Sequence, residues 1–163
     1  LKLLNCAIVM ALKAIAVLGL CFMSLLTVVD ATGRYIFNHP IIGSVELTEL
    51  LMVTVIFSSI PLMTRSRGHI TVDSFSQLFS AHAQRMQDHI ANLISLVVSA
   101  FLAWVTLNKA QTTAAYGDIT AMLSIPLAPF VYLMAALLML DAAYHAANLV
   151  SGLRGNTAEA GHD

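Results

Sequence analysis

A chain of 163 residues that is 58% hydrophobic and only 10% charged has too little polar material to cover a soluble domain, whose charged share is usually near ~25%. Eight Lys and Arg against nine Asp and Glu leave a net charge of −1, which excludes the basic surface a nucleic-acid binder needs to follow a phosphate backbone. Cys6 and Cys21 stand in apolar sequence with no Cys or His at ligand spacing, so a zinc site, an iron–sulfur cluster and a disulfide scaffold are set aside as well.

With a mean hydropathy of +0.81, the chain has the membrane as its natural solvent, and its charges are bunched so that four apolar stretches lie between them. The expected fold class is an all-α integral membrane protein: four transmembrane helices plus an amphipathic interfacial helix between the second and third. The spans are expected at approximately 8–29, 45–63, 90–108 and 127–150, within a single membrane domain over residues 1–163. Each is close to the ~20 apolar residues that cross a hydrocarbon core.

The first span contains Lys13, whose stem can snorkel to the boundary. Lys2 ahead of an apolar run is the pattern of a cleavable signal peptide, but the run is long for one and three more hydrophobic segments follow. The connection after it, from Asp30 to Ser44, holds Arg34-Tyr35-Ile36-Phe37-Asn38-His39-Pro40. Tyr35 and Phe37 suit an interfacial belt, and Ser44 is placed to cap the second helix. Arg34 has Glu46 and Glu49 within reach in sequence, and an ion pair within the subunit or with a neighbour is open. Those glutamates fall in the first turns of the second span, where negative charge favours a helix; Pro61 falls in its last.

The middle connection begins Arg65-Ser-Arg67-Gly-His69-Ile-Thr-Val-Asp73. Arg65 and Arg67 read as anchors on the cytoplasmic side, with His69 and Asp73 beside the same interface or lipid headgroups. From about 72 to 88, Phe75, Leu78, Phe79 and Met86 recur at helical spacing, which predicts an amphipathic helix lying on the bilayer or bracing a partner. The third span carries Ser95, Ser99 and Ala103 at intervals of four, a small-residue stripe that permits close helix approach. The connection to the fourth, with Gly117-Asp118-Ile119-Thr120, lacks a phosphate-cradling pattern and is equally suited to a plain loop or to partner contact.

Only Asp141 lies well inside a span. A carboxylate at a helix centre costs roughly 2.5–3.5 kcal/mol to insert, so it must face protein or water, and His145 stands one turn from it. A buried packing or subunit contact, a position at the inner interface and a proton or ion relay all fit this pair. Bis-histidine haem ligation needs histidines at matching depth on facing helices, and His145 has no such mate in the sequence. An even number of spans puts both termini on one side. Lys2, Lys13, Arg65, Arg67, Arg85 and Arg154 on that side, against Arg34 and Lys109, place the termini in the cytoplasm.

Arg34-Tyr-Ile-Phe-Asn38-His-Pro40 with Gly43-Ser-Val-Glu46-Leu47, then Arg67-Gly-His69-Ile-Thr-Val-Asp73, then Gly117-Asp-Ile-Thr120 with Leu123-Ser-Ile-Pro126 together resemble the small membrane subunit of TRAP (tripartite ATP-independent periplasmic) transporters, the DctQ-type permease family. The resemblance runs over nearly the whole chain. It implies a non-catalytic scaffold in the bacterial inner membrane, multi-pass, beside a large transport subunit, membrane lipids and a periplasmic solute-binding protein. The transported solute would be an organic acid or similar compound. No cofactor is expected in this chain; sodium is expected at the large subunit. By position, Arg34, Glu46, Glu49, Asp118 and Thr120 would face the docking side, Arg65, Arg67, His69 and Asp73 the cytoplasmic interface, and Asp141 with His145 a buried contact. Some relatives have this subunit fused to the large one; the polar tail to Asp163 leads to the expectation of an unfused chain. The competing reading is a self-sufficient, proton-coupled multidrug-type exporter that uses Asp141.

Overall fold

The computed structural model describes residues 2–65 and 81–159. Four helices account for nearly all of them: α1 (Lys2–Ile36), α2 (Ser44–Arg65), α3 (Ala81–Tyr116) and α4 (Ala128–Glu159). All four are long and apolar enough to cross a membrane, with candidate spans Cys6–Ile36, Ser44–Thr64, His89–Tyr116 and Ala128–Val150. The described residues form no strand; one antiparallel bridge joins Ile119 and Pro126. The fold is thus the all-α membrane class expected from composition. The amphipathic helix expected at 72–88 falls mainly outside the described residues, and its last part, from Ala81, is continuous with α3.

The helices outrun the apolar stretches at the ends that carry the short loops. α1 passes Asp30 and reaches Ile36 because Arg34 Nη2 bonds Asp30 Oδ2 at 3.0 Å one turn away, so the two charges support the helix instead of ending it. α3 passes Lys109 to Tyr116 and stops at Gly117, whose φ of 68° suits a residue without Cβ. The N–H groups of Gly117 and Asp118 both donate to the Thr113 carbonyl there, at 3.1 and 3.2 Å.

In space the helices stand in the order α1, α2, α4, α3: α1 packs on α2, α2 on α4, and α4 on α3. This is an open row and not a closed four-helix bundle. The most apolar windows of the edge helices α1 and α3 are only 11% buried, against 28% for α2 and α4. Small residues let the helices approach. On α3, Ser99, Ala103, Ala110 and Thr113 are buried at the spacing of one helical face, which includes two members of the stripe seen in the sequence. At the first seam, a Cβ on Gly19 would come within 2.5 Å of Val55 Cγ2, so α1 and α2 are as close as a glycine permits.

Candidate functional site

Two polar assemblies hold the row together, one near each end. The first is inside the membrane-spanning part, at the junction of α2, α3 and α4. Asp141 and His145, one turn apart on α4, are each 2% exposed. Asp141 Oδ1 accepts the Thr64 hydroxyl from α2 at 2.5 Å, and Oδ2 accepts the Ser99 hydroxyl from α3 at 2.5 Å. These lengths fall at the short end for hydroxyl–carboxylate bonds. His145 Nε2 lies 3.4 Å from Thr64 Oγ1 and 3.9 Å from Asp141 Oδ2, while Nδ1 lies 3.1 Å from Asn92 Oδ1 of α3. Asn148 Nδ2 donates to the Thr64 carbonyl at 3.4 Å.

The chemistry of this cluster is that of a clamp. A carboxylate withdrawn from water needs hydrogen-bond donors for both oxygens, and here each oxygen takes its donor from a different helix. α4 thereby fixes the height of α2 on one side and of α3 on the other. Asp141 and His145 are brought together as their spacing suggests. Thr64, Asn92 and Asn148 belong to no motif that marks them in the sequence, and Ser99 stands out there only as a small residue. Their sole local signal is a hydroxyl or amide in apolar sequence, which is common in transmembrane helices that bond their own backbone. Thr54 and Ser59 do this in α2, to the Leu50 and Val55 carbonyls.

The second assembly surrounds the start of α2, where two loops converge. Asp30 of α1 accepts the Ile41 N–H at Oδ1, 2.8 Å away, pulling the 37–43 loop back over the helix that precedes it. The Gly33 carbonyl accepts the N–H groups of Phe37 and His39, both at 3.1 Å. A Cβ on Gly33 would meet the His39 carbonyl oxygen at 2.9 Å. The first helical bond of α2 runs from Leu47 N to the Gly43 carbonyl at 3.0 Å, so Gly43 and not Ser44 occupies the cap. Gly43 has φ 77°, and a Cβ there would overlap the Leu123 side chain.

Glu46, half-buried in the first turn of α2, reaches the other loop. Its Oε1 accepts the Met122 N–H at 2.6 Å and its Oε2 the Leu123 N–H at 3.0 Å, while the Thr120 hydroxyl and Ala121 N–H lie beside the same carboxylate. The Thr120 oxygen also accepts the Ile125 N–H at 3.1 Å, and the Asp118 carbonyl accepts the Leu127 N–H at 3.0 Å. The 117–127 loop is therefore folded on itself and tied to α2. Its surface and that of the neighbouring loop carry exposed Tyr35, Phe37, Ile42, Tyr116, Ile119 and Met122.

Of the residues expected on the docking side, Glu46 and Thr120 are brought together and Asp118 stands at the foot of the same loop. Arg34 is paired with Asp30 instead of with Glu46 or Glu49, because a partner one turn back on the same helix is nearer than α2. Glu49 is exposed on α2, apart from the Glu46 loop contact. Arg65 closes α2; Arg67, His69 and Asp73 lie outside the described residues.

Four helices of membrane-spanning length, braced by a buried carboxylate and tied by carboxylate-anchored loops, define a small multi-pass membrane protein. Residues 23–155 match the family model described as tripartite ATP-independent periplasmic transporters, DctQ component. The chain belongs to that family, and the matched segment includes both polar assemblies. No curated protein gives a comparable match.

Proposed function

We propose that this chain is the small, non-catalytic scaffold subunit of a TRAP-type secondary transporter, standing beside a large transport subunit in the bacterial inner membrane. The observation that carries the reading is family membership over residues 23–155. The internal architecture supports it: the Asp141 carboxylate within the fourth span is engaged at both oxygens by hydroxyls of its own chain, the arrangement of a brace. A row of helices with two open faces is also suited to widening the fixed part of a larger membrane protein.

In this reading both termini are cytoplasmic, in keeping with the six-to-two distribution of Lys and Arg. The loop end of the row, with Glu46, Asp118, Thr120 and their exposed aromatic neighbours, then faces the periplasm and shares the docking surface for a solute-binding protein. Arg34 borders that surface. Arg65, Arg67, His69 and Asp73 stand on the cytoplasmic side. The solute, an organic acid or similar compound, and the coupling sodium ions pass through the large subunit.

The test is reconstitution of uptake in vesicles from the large subunit, the binding protein and this chain. Uptake is expected only when all three are present, and with Asp141→Asn it is expected to persist. Uptake by this chain alone, or loss of uptake with Asp141→Asn in an intact complex, would move the pathway into this subunit and sink the proposal.

A further inference from the structure

Between α1 and α2, near the loop end, runs a groove of about 250 Å³ whose apolar walls include Leu26, Val45 and Met52. Its polar groups are Asp30, Thr27, Thr48, Ser44 and Glu49, and nearly all are spent within the chain. The Thr27 and Thr48 hydroxyls donate to the Met23 and Ser44 carbonyls of their own helices, each at 2.8 Å. Asp30 holds Arg34 and the Ile41 N–H, and Ser44 is buried beside it. Glu49 differs. It is exposed, and among the described residues no hydrogen bond or ion pair engages its carboxylate.

Its depth gives that carboxylate significance. Glu49 lies five residues into α2, about 7.5 Å below the helix start at ~1.5 Å per residue. It therefore faces the groove from within the span Ser44–Thr64, where an unpaired charge is disfavoured. Among the described residues, which form an open row, α2 is the one helix that packs extensively on α1. We propose that the α1–α2 groove receives a Lys or Arg side chain from a membrane-spanning helix of the large transport subunit, with Glu49 as its counter-ion. The inference rests on the function proposed above and assigns the contact by which the two subunits recognise each other.

The groove's chemistry matches that occupant. The methylene stem of Lys or Arg lies along Leu26, Val45 and Met52 while its charged end meets a carboxylate. A zwitterionic phospholipid fits less well. The cation beside the groove is Arg34, and its guanidinium is already held by Asp30. A Lys or Arg side chain from a neighbouring helix needs only the carboxylate of Glu49.

The test is copurification in detergent of the large subunit with wild-type chain, Glu49→Gln and Glu49→Lys, after circular dichroism of each isolated chain establishes that it is folded. The affinity for the large subunit is expected to fall at least tenfold with Glu49→Gln, since removing one member of an interfacial charge pair strands the other, and further with Glu49→Lys. One Lys- or Arg-to-Glu exchange on the large subunit is expected to restore binding to Glu49→Lys. A folded Glu49→Lys chain that recovers the large subunit at the wild-type ratio would overturn the inference while leaving the proposed function standing. Recovery at that ratio with loss of copurifying phospholipid would assign the groove to lipid and overturn it too. Failure of the wild-type chain to bind the large subunit would instead remove the proposed function, and this contact with it.

Discussion

Removing the two hydroxyls that Asp141 holds should destabilise the protein more than neutralising Asp141 itself. Thr64 and Ser99 each donate to one carboxylate oxygen at 2.5 Å. A hydrogen bond to a charged group is worth about 1.5–3 kcal/mol in water-soluble proteins, but interhelical bonds in membranes average only about 0.6 and reach about 1.7 kcal/mol, because the separated helices find other partners. With Asp141 2% exposed, the upper end applies, and Thr64→Val with Ser99→Ala should cost about 3 kcal/mol. For a chain of this size that corresponds to roughly 6–12 °C in the midpoint of thermal unfolding. Asp141→Asn behaves differently. Its amide accepts from one hydroxyl and donates to the other, and the charge, whose insertion cost is roughly 2.5–3.5 kcal/mol, is gone. The single variant should stay within about 1 kcal/mol of wild type, and adding it to the double variant should recover about half of the loss. Thermal unfolding in detergent followed by far-ultraviolet circular dichroism measures all four proteins. If Asp141→Asn proves more damaging than loss of both donors, the carboxylate is a net source of stability and the reasoning from desolvation is wrong.

Three further outcomes follow from the loop end and the first helix seam. Glu46→Gln leaves one acceptor for the N–H groups of Met122 and Leu123, so their hydrogen exchange should accelerate about tenfold, equivalent to about 1.4 kcal/mol, while exchange within α3 stays unchanged. Gly43→Ala forces a Cβ onto a backbone with φ 77° and against Leu123. It should cost about 1–3 kcal/mol in thermal unfolding, and Leu123→Ala should return only the steric part. Gly19→Ala places a methyl 2.5 Å from Val55 Cγ2 and should destabilise by about 1–3 kcal/mol. Val55→Ala in that background should restore most of the loss; failure to do so would mean that α1 and α2 do not touch at this point.

How much of this was legible depends on whether the governing interaction is local in sequence. Charge spacing alone locates four spans and singles out Asp141 as a residue that must be buried against something. The pairing of Asp141 with His145 is legible too, because one turn of helix separates them. Its hydroxyl donors are not, since Thr64 and Ser99 lie 77 and 42 residues away. Nothing distinguishes them from Thr54 or Ser59, which bond their own helix. Glu46 reads as a favourable helix-start charge, and it is one; that its oxygens are taken by N–H groups 76 and 77 residues further on depends on the order of the row. Arg34 shows the opposite error. Its acidic neighbours in α2 are distant in sequence, whereas the decisive partner, Asp30, lies one turn back on the same helix, just past the apolar stretch.

The order α1, α2, α4, α3 also changes what the exposed apolar residues mean. In a closed bundle each helix hides one stripe, and the remaining surface meets lipid evenly. In an open row the edge helices hide much less, and among the described residues no further element covers either broad face. Lipid tails can cover such faces at no cost in hydrophobicity, so apolar exposure by itself does not call for a partner. A carboxylate does. On α2 the two glutamates of the first turns have opposite fates: Glu46 is spent on this chain's own loop, and Glu49 is left facing a groove with aliphatic walls. Three residues apart, the two side chains point within about 60° of each other, and a rise of ~4.5 Å sets Glu49 below the loop that Glu46 holds and beside the groove. A two-fold contact of this groove with its own copy would set Glu49 against Glu49, like charge on like, and supplies no counter-ion. A counter-ion from a different membrane subunit closes the assembly after one contact.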